Sequence, residues 1–293
     1  MAMHQYEWYV LLQLDCFRDF LPPTLLHALD AAYGDIAPAT MSISPIDSSD
    51  HLARWKSWKL DQSKLDALTQ TDSNGKEALQ RAVSTFEKVH GERLDTHFFA
   101  CGKRGVLFAG TSATHLPVVI KVQKLNEHNP IDRESLWLRR VNRFRIGPTL
   151  HLSGPGFFAC ELLDDGVHAV DFLRHPAATH ADVHWFLRRI FHQCFVLDAL
   201  RINKAEMTHP MRHIIVHGSA RCVLIDFEKC VFSHASPRNV TQLTQFISSP
   251  RVVAALAAKG IALSVPGLRT LAQQYKRAPS AATFAPLLHH ILQ

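Results

Sequence analysis

Between Thr96 and Asp164 the sequence alternates short apolar runs with turn-forming residues, and one helical pattern interrupts the series. The runs are rich in β-branched and aromatic residues and are short, so they predict strands. Glycine and polar residues in GKRG and GTSATHLP predict turns between them. The predicted order is therefore strand, strand, strand, helix, strand, strand, and the first three strands form an antiparallel meander.

The one helical pattern lies in DRESLWLRRVNRF, between the third and fourth predicted strands. It places Leu136, Val141 and Phe144 on one side of the helix. Asp132 suits the N-cap position, and the Gly147-Pro148 pair ends the segment. Together with the strands, this helix predicts a mixed α+β fold.

The sequence on either side of this segment is mostly helical. Residues 76–90 carry apolar side chains at i, i+3 and i+4 spacing, and the pattern stops at Gly91. Farther along, HADVHWFLRRIFHQCFVLDALRI predicts a long buried helix. HIIVHG and CVLIDFE then predict two strands joined by a short turn, and a helical tail runs from there to Gln293.

Composition excludes several classes of protein. With 293 residues, 47% hydrophobic and 20% charged, the chain is predicted to form a globular core rather than to be mainly disordered. No apolar stretch is long enough for a membrane span, and the N-terminal residues lack the features of a signal peptide, so a cytoplasmic protein without membrane contact is expected. The 6 cysteines form no CxxC pair, which excludes a zinc ribbon or a dithiol redox motif.

A lysine and a glutamate in this apolar region are candidate functional residues. Lys121 ends the apolar run VVIK, and Glu134 lies on the helix that follows. A lysine on a buried strand needs a charged partner, and this helix supplies one. The same combination of strand lysine and helix glutamate orients nucleotide phosphates in kinases. The pair is therefore a candidate phosphate-binding site.

Two further signals stand in the order that such a site requires. Gly102 and Gly105 precede the lysine strand and would let the backbone come close to phosphate oxygens. Asp226 in LIDFE ends a later apolar strand, where a magnesium ligand would stand. Each signal alone also fits an ordinary explanation, such as a snorkelling lysine or a hairpin turn. Their joint order favours the nucleotide site.

Seven segments together resemble the archaeal-type serine/threonine protein kinase family, which is related to the RIO and KEOPS-associated atypical kinases. They are GKRGVLFAG, VVIKVQ, RESLWLRRVNRFRIGPTL, FFACELLDDG, LDALRINKAEMTHPMRHIIV, VLIDFEKC and SPRNVTQLTQF. The resemblance implies a two-lobed protein-kinase-like fold. Residues 96–164 would form the N-lobe and residues 165–293 a compact helical C-lobe. Residues 1–95 have no such match and are expected to form a mostly helical N-terminal extension.

The resemblance also implies how a nucleotide is bound. Gly102, Lys103 and Gly105 match the loop that covers the nucleotide. Glu161 and Leu162 match the linker between the lobes, whose backbone would hold the adenine. ATP and Mg²⁺ are the implied cofactors.

Catalytic roles follow from the same resemblance. Lys121 matches the lysine of the α- and β-phosphates, Glu134 its helix partner and Asp226 the magnesium ligand. Glu206 lies near the place of the catalytic aspartate. The implied reaction is transfer of phosphate from ATP to a Ser/Thr hydroxyl of an unknown protein, or to another hydroxyl acceptor.

Three positions depart from ordinary protein kinases. Glu206 replaces the catalytic aspartate, His213 takes the place of the metal-binding asparagine, and Glu228 replaces the glycine of DFG. A glutamate can accept a hydroxyl proton, whereas an imidazole is a poor magnesium ligand. These departures leave open an alternative function, a kinase-like nucleotide-binding scaffold without transfer activity.

Histidines raise the alternative of a zinc site. His209, His213 and His217 recur every four residues, and His180 and His184 form HADVH. A proline interrupts the first set, and the second lacks the glutamate of HExxH. A zinc site is therefore not favoured.

A nucleic-acid partner is weakly supported. Arg139, Arg140, Arg143 and Arg145 lie close together, and the chain has a net charge of +6. A solvated helix face is the favoured explanation of these arginines, because no zinc-finger, RRM or KH signature is present. Acyl transfer is also excluded, since HGSAR does not form a GxSxG motif.

Overall fold

The computed structural model describes most of the chain from residue 73 onward. The described ranges are 73–102, 104–113, 117–124, 130–163, 166–207, 210–217, 221–233 and 237–293. Most of the predicted N-terminal extension, residues 1–72, lies outside them, as do Lys103 and His209.

The described residues fall into two compact units. The sheet unit contains residues 73–163 together with Ile225–Lys229. The helical unit contains Gly166–Leu224 and Cys230–Gln293. The short LIDFE segment thus belongs mainly to the unit that also carries Lys121 and Glu134.

The sheet unit is built on five antiparallel strands in the order β1-β2-β3-β5-β4. Their bounds are β1 Asp95–Cys101, β2 Gly105–Thr111, β3 Val118–Gln123, β4 Leu150–Gly154 and β5 Phe157–Glu161. Helix α1, Ser73–His90, precedes the sheet, and helix α2, Pro130–Asn142, connects β3 to β4. The predicted element order of this segment and the mixed α+β fold are confirmed.

Helix α1 covers one face of this sheet. Ala78, Ala82 and Phe86 lie on one side of the helix at helical spacing, and each is at most 4% exposed. They pack in one apolar core with a set of buried residues from the sheet and the segment before it: Leu94, Val118, Ile120, Val122, Phe157 and Ala159. The helix that the sequence places in the extension therefore contributes to the core of the sheet.

Helix α2 presents a different face to the interior than the sequence predicts. Its buried positions include Ile131, Glu134, Leu138 and Val141. Leu136, predicted to share the apolar side, is 57% exposed, so that prediction is wrong. The buried stripe includes a glutamate, which pattern analysis by hydrophobicity alone assigns to the solvent side.

The ends of α2 also differ from the prediction. Asp132 is not the N-cap, because the helix begins at Pro130 and Asp132 lies in its first turn. Its Oδ1 instead accepts a hydrogen bond of 2.8 Å from the backbone N–H of Gly156. At the other end the helix stops at Asn142, before the predicted Gly-Pro pair. The Asn142 side chain donates to the carbonyl of Pro148 and accepts from the N–H of Leu150, which ties the turn to β4.

The helical unit contains six α-helices within its described residues. They are α3 Ala169–Arg174, α4 His180–Ala199, α5 Asn239–Ile247, α6 Pro250–Ala257, α7 Val265–Arg277 and α8 Ala281–Ile291. Two small sheets accompany them, with orders β6-β8-β9 and β10-β7. Their strands are β6 Val167–His168, β7 Ile202–Asn203, β8 Ile214–His217, β9 Arg221–Leu224 and β10 Val231–Phe232. In the described part of the chain, no helix combines the length and apolarity needed to cross a bilayer.

The long buried helix predicted from HADVH onward is α4, and its start is fixed by a capping box. The Thr179 hydroxyl accepts from the N–H of Asp182, and the Asp182 carboxylate accepts from the N–H of Thr179. Within the helix most large apolar side chains are buried, which confirms the prediction. This helix is the centre of the helical unit, and α5 packs beside it.

A buried carboxylate near the end of α4 joins three helices. Asp198 Oδ1 accepts hydrogen bonds of 2.9 and 2.7 Å from the backbone and side chain of Asn239 on α5. Its Oδ2 accepts from the N–H of Val240 and from the hydroxyl of Tyr275 on α7. Burial raises the pKa of Asp198 to about 6, and these hydrogen bonds partly offset that effect.

Asp198→Ala should lower the free energy of unfolding by about 2 kcal/mol at pH 7, because four hydrogen bonds to buried donors are lost. A folded-state pKa above the unfolded value of 3.8 means that protonation favours the folded form, and this contribution is lost as pH rises through about 6. The deficit of the variant should therefore be larger at pH 4 than at pH 7. Urea unfolding at both pH values measures it.

The exposed Asp171 on α3 provides the matched control. Asp171→Ala should change the unfolding free energy by less than about 0.5 kcal/mol. Equal effects of the two substitutions would show that the Asp198 hydrogen bonds do not stabilise the helical unit.

Candidate functional site

Strand β3 presents Lys121 on the sheet face opposite to α1. Side chains alternate along a strand, and Val118, Ile120 and Val122 point into the core beneath α1. Lys121 therefore points to the other face. Its neighbours in register are Leu107 on β2 and Phe158 on β5, so it lies on an internal strand of the sheet rather than at an edge.

Lys121 and Glu134 form the predicted ion pair. The Lys121 Nζ donates to Glu134 Oε2 at 2.5 Å, and the two side chains are 16% and 7% exposed. Burial alone lowers the pKa of Lys121, but the carboxylates of Glu134, Asp226 and Glu228 outweigh it and raise this pKa. The lysine is therefore held in its charged form, as a phosphate-binding cation must be.

The segment Ile225–Lys229 brings two more carboxylates to this pair. Asp226 has φ 64°, a left-handed backbone conformation that is uncommon outside glycine. Phe227, the next residue, is 1% exposed and anchors the segment in the sheet unit. Its ring occupies the space beside Gly147, where an added Cβ would lie 3.0 Å from Phe227 Cε2. The anchored phenylalanine fixes the place of Asp226 and Glu228.

Glu134, Asp226 and Glu228 form an acidic cluster. One carboxylate oxygen of each lies within 4.8 Å of the others. Carboxylate oxygens are ligands that Mg²⁺ prefers, so the donor set fits this ion. Glu134 is engaged by Lys121 and Glu228 contacts Arg104, so Asp226 is the first candidate metal ligand of this cluster, with Glu228 beside it as a second carboxylate.

The turn between β1 and β2 carries the predicted glycine loop. The N–H of Gly102 donates to the carbonyl of Gly105 at 2.9 Å, and Lys124 Nζ donates to the carbonyl of Gly102 at 2.6 Å. An added Cβ at Gly105 would lie 2.9 Å from the carbonyl oxygen of Val122, which no real side chain tolerates. Glycine is therefore needed at residue 105 for the packing of β2 on β3. A nucleotide role of the loop stays a prediction.

An ion pair that the sequence analysis does not identify joins this turn to the acidic cluster. Arg104 lies between the two glycines, and its Nη1 is 2.9 Å from Glu228 Oε1. The available sequence signal was a basic residue inside GKRG together with a glutamate in place of the DFG glycine. Nothing local in the sequence connects them, because Arg104 and Glu228 are more than a hundred residues apart along the chain.

The linker residues Glu161 and Leu162 are engaged within the sheet. The N–H of Glu161 donates to the carbonyl of Thr149, and the N–H of Leu162 donates to the carbonyl of Pro117. The role of both residues in adenine binding stays a prediction.

Glu206 and His213 lie in the helical unit. His213 Nε2 is 3.8 Å from Glu206 Oε2, and both residues are half-buried. Ala205 and Glu206 each have φ 59°, a left-handed conformation that costs on the order of 1 kcal/mol per non-glycine residue. Such strain is concentrated at functional sites in proteins, so it adds a structural reason to consider Glu206.

The start of the Glu206 segment is held by the Asp198 network. The N–H of Lys204 donates to Asn239 Oδ1 at 2.9 Å, and Asn239 Nδ2 donates to the carbonyl of Ile202. Asn239 in turn donates to Asp198. This positioning role of Asn239 has no signal in the sequence beyond its place in SPRNVTQLTQF.

The residues of the rival hypotheses are engaged locally. The rings of His180 and His184 lie 4.4 Å apart, and neither joins a group of three possible ligands among the described residues. Arg139 donates to the hydroxyl of Ser153, and Arg140 lies over the ring of Trp137. These contacts fit a solvated helix face.

Similarity to known proteins is found among solved structures. No protein-family model matches the chain, and no curated protein matches it. Among solved structures, it is similar to the Rio2 kinase–ADP/Mg²⁺–phosphoaspartate complex from Chaetomium thermophilum, with 11% sequence identity and a TM-score of 0.43. The alignment covers 73% of this chain and 75% of that chain.

Proposed function

We propose that the protein is an ATP- and Mg²⁺-dependent phosphotransferase of the atypical protein kinase type. The observation that carries this proposal is the buried Lys121–Glu134 ion pair beside Asp226 and Glu228. A cation fixed by one carboxylate, next to carboxylates that can hold a metal, matches the parts needed to bind a nucleoside triphosphate.

Within this proposal the sheet unit binds the nucleotide. Lys121 donates to the α- and β-phosphates, and Glu134 keeps its ammonium group in place. The glycine turn from Gly102 to Gly105 covers the phosphates. Catalysis then rests on positioning and charge neutralisation rather than on a covalent enzyme intermediate.

Asp226 and Glu228 would hold the metal. When bound there, Mg²⁺ neutralises charge on the phosphate oxygens during transfer. The two carboxylates belong to the same short segment, which Phe227 anchors. Their fixed spacing lowers the cost of ordering them around an ion.

Glu206 is the proposed proton acceptor. The acceptor hydroxyl, of a serine or threonine in a partner protein, attacks the γ-phosphorus of ATP. The bond from the γ-phosphorus to the bridging oxygen breaks, and that oxygen leaves with the bonding electron pair as part of ADP. The hydroxyl proton passes to the Glu206 carboxylate. The left-handed backbone at Glu206 is consistent with a position fixed for function.

Incubation with γ-labelled ATP and Mg²⁺ tests the proposal. The label should appear on a protein, on the chain itself or on another hydroxyl acceptor. ATP binding without transfer to any acceptor would support the alternative, a kinase-like nucleotide-binding scaffold. Absence of ATP binding would overturn both functions.

Glu206→Gln should lower the rate of transfer by about 100-fold and leave ATP affinity nearly unchanged, since loss of a positioned proton acceptor affects the chemical step. Single-turnover transfer and equilibrium ATP binding separate the two quantities. His213→Asn is the control. The His213 imidazole lies next to Glu206 but has no proposed role in proton transfer, so its replacement should be tolerated. Full transfer activity in Glu206→Gln would move the search for the base to another carboxylate.

A further inference from the structure

The Arg104–Glu228 ion pair is the feature of the site that the proposed function does not use. Arg104 is on the glycine turn, and its guanidinium lies 2.9 Å from the Glu228 carboxylate. The two side chains are 30% and 14% exposed. The pair is therefore largely shielded from solvent, unlike the exposed ion pairs that contribute little.

Each cation of the site engages one glutamate of the acidic cluster. Lys121 binds Glu134, and Arg104 binds Glu228. The proposed function assigns Glu228 to a metal, but the same carboxylate now has a guanidinium at hydrogen-bonding distance. A divalent cation and the Arg104 guanidinium would compete for these oxygens, and their positive charges would repel each other.

The turn itself is held in place independently of this pair. Lys124 donates to the carbonyl of Gly102, and the N–H of Lys124 donates to the carbonyl of Arg104. The turn is also closed by the Gly102–Gly105 hydrogen bond. Arg104 can therefore leave Glu228 by rotation of its side chain while the backbone of the turn keeps its place.

We propose that Arg104 exchanges partners when a metal–nucleotide complex binds. Without nucleotide, its guanidinium neutralises Glu228 and disfavours binding of a metal alone. With nucleotide, Glu228 is released to the metal, and Arg104 donates to the phosphates, for which its planar fork of N–H groups is suited. Arg104 thus binds the phosphates and makes metal binding depend on nucleotide. This inference rests on the proposed function.

Two affinities of the full chain test the exchange, and the proposal requires them to change in opposite directions. The first is the affinity for Mn²⁺ alone, measured from free Mn²⁺ by electron paramagnetic resonance. The second is the affinity for ATP in the presence of Mg²⁺, measured by equilibrium dialysis. Arg104→Gln should bind Mn²⁺ alone about 3- to 10-fold more tightly and bind ATP with Mg²⁺ about 10-fold more weakly.

Three further variants make the result specific. Arg104→Lys keeps the charge and should restore both affinities in part. Adding Glu228→Gln to Arg104→Gln should remove the gain in Mn²⁺ affinity. Arg93→Gln is the matched control, because it removes one positive charge from the sheet unit at an exposed ion pair with Asp95. It should change Mn²⁺ affinity by less than about twofold.

The outcomes separate this inference from the proposed function. Failure of the unsubstituted chain to bind ATP overturns the proposed function and the exchange with it. ATP binding that is unchanged in Arg104→Gln overturns the exchange alone. A Mn²⁺ affinity that does not rise in Arg104→Gln, that rises equally in Arg93→Gln, or that is undetectable in both the unsubstituted chain and Arg104→Gln also overturns it.

Discussion

Asp226→Asn should reduce phosphate transfer on the order of 10³-fold and remove most of the Mg²⁺ dependence of ATP binding. The substitution deletes one of the two charges that would hold the metal but keeps the size of the side chain. Asparagine tolerates left-handed backbone as well as aspartate does, so φ 64° at residue 226 should be kept. Transfer rates and ATP binding measured across a magnesium titration provide the readout.

The interpretation depends on an intact fold. The unfolding midpoint of Asp226→Asn should match that of the unsubstituted chain within about 1 °C. Asp171→Asn, at an exposed position on α3, is the control and should leave transfer unchanged. Full transfer with normal magnesium dependence in Asp226→Asn would remove this residue from the metal site.

Lys121→Met should lower the free energy of unfolding by about 3 kcal/mol and abolish ATP binding. The variant leaves Glu134, which is 6% exposed, as a buried carboxylate without its cation. Adding Glu134→Gln should recover most of the lost stability, because the uncompensated charge is then gone as well. It should not recover ATP binding, since the phosphate-binding cation is still missing.

Urea unfolding of the two single variants and the double variant forms a double-mutant cycle. The expected interaction free energy between residues 121 and 134 is about 2 kcal/mol or more. Strictly additive effects would show that the 2.5 Å contact is not a stabilising ion pair. Retained ATP binding in Lys121→Met would instead overturn the phosphate role of the lysine.

The features that could be predicted from sequence are those with a local cause. The sheet strands follow from runs of β-branched and aromatic residues between turn-forming residues, and all five are present. The Lys121–Glu134 pair follows because a charge on an internal strand needs a partner of opposite charge, and the next helix offers a glutamate 13 residues later. Both predictions use information within about twenty residues.

The features that were missed depend on contacts between distant segments. The hydrophobic pattern places Leu136 in the interior, but the buried stripe of α2 contains Glu134 instead. Glu134 can be buried because Lys121, on another element, is its partner. The Arg104–Glu228 pair joins a turn and a segment more than a hundred residues apart. Backbone strain at Glu206 and Asp226 is equally invisible, because side-chain identity does not report φ.

The position of α1 on the sheet has a practical consequence for anyone who trims the chain. A fragment that begins at Thr96, where the kinase resemblance begins, would lose Ala78, Ala82 and Phe86 and leave the apolar face of β3 and β5 in water. Uncovered apolar sheet surfaces of this kind promote self-association. A fragment intended to remain in solution should therefore begin no later than Ser73, and aggregation of a shorter one would reflect the lost helix rather than an unstable sheet.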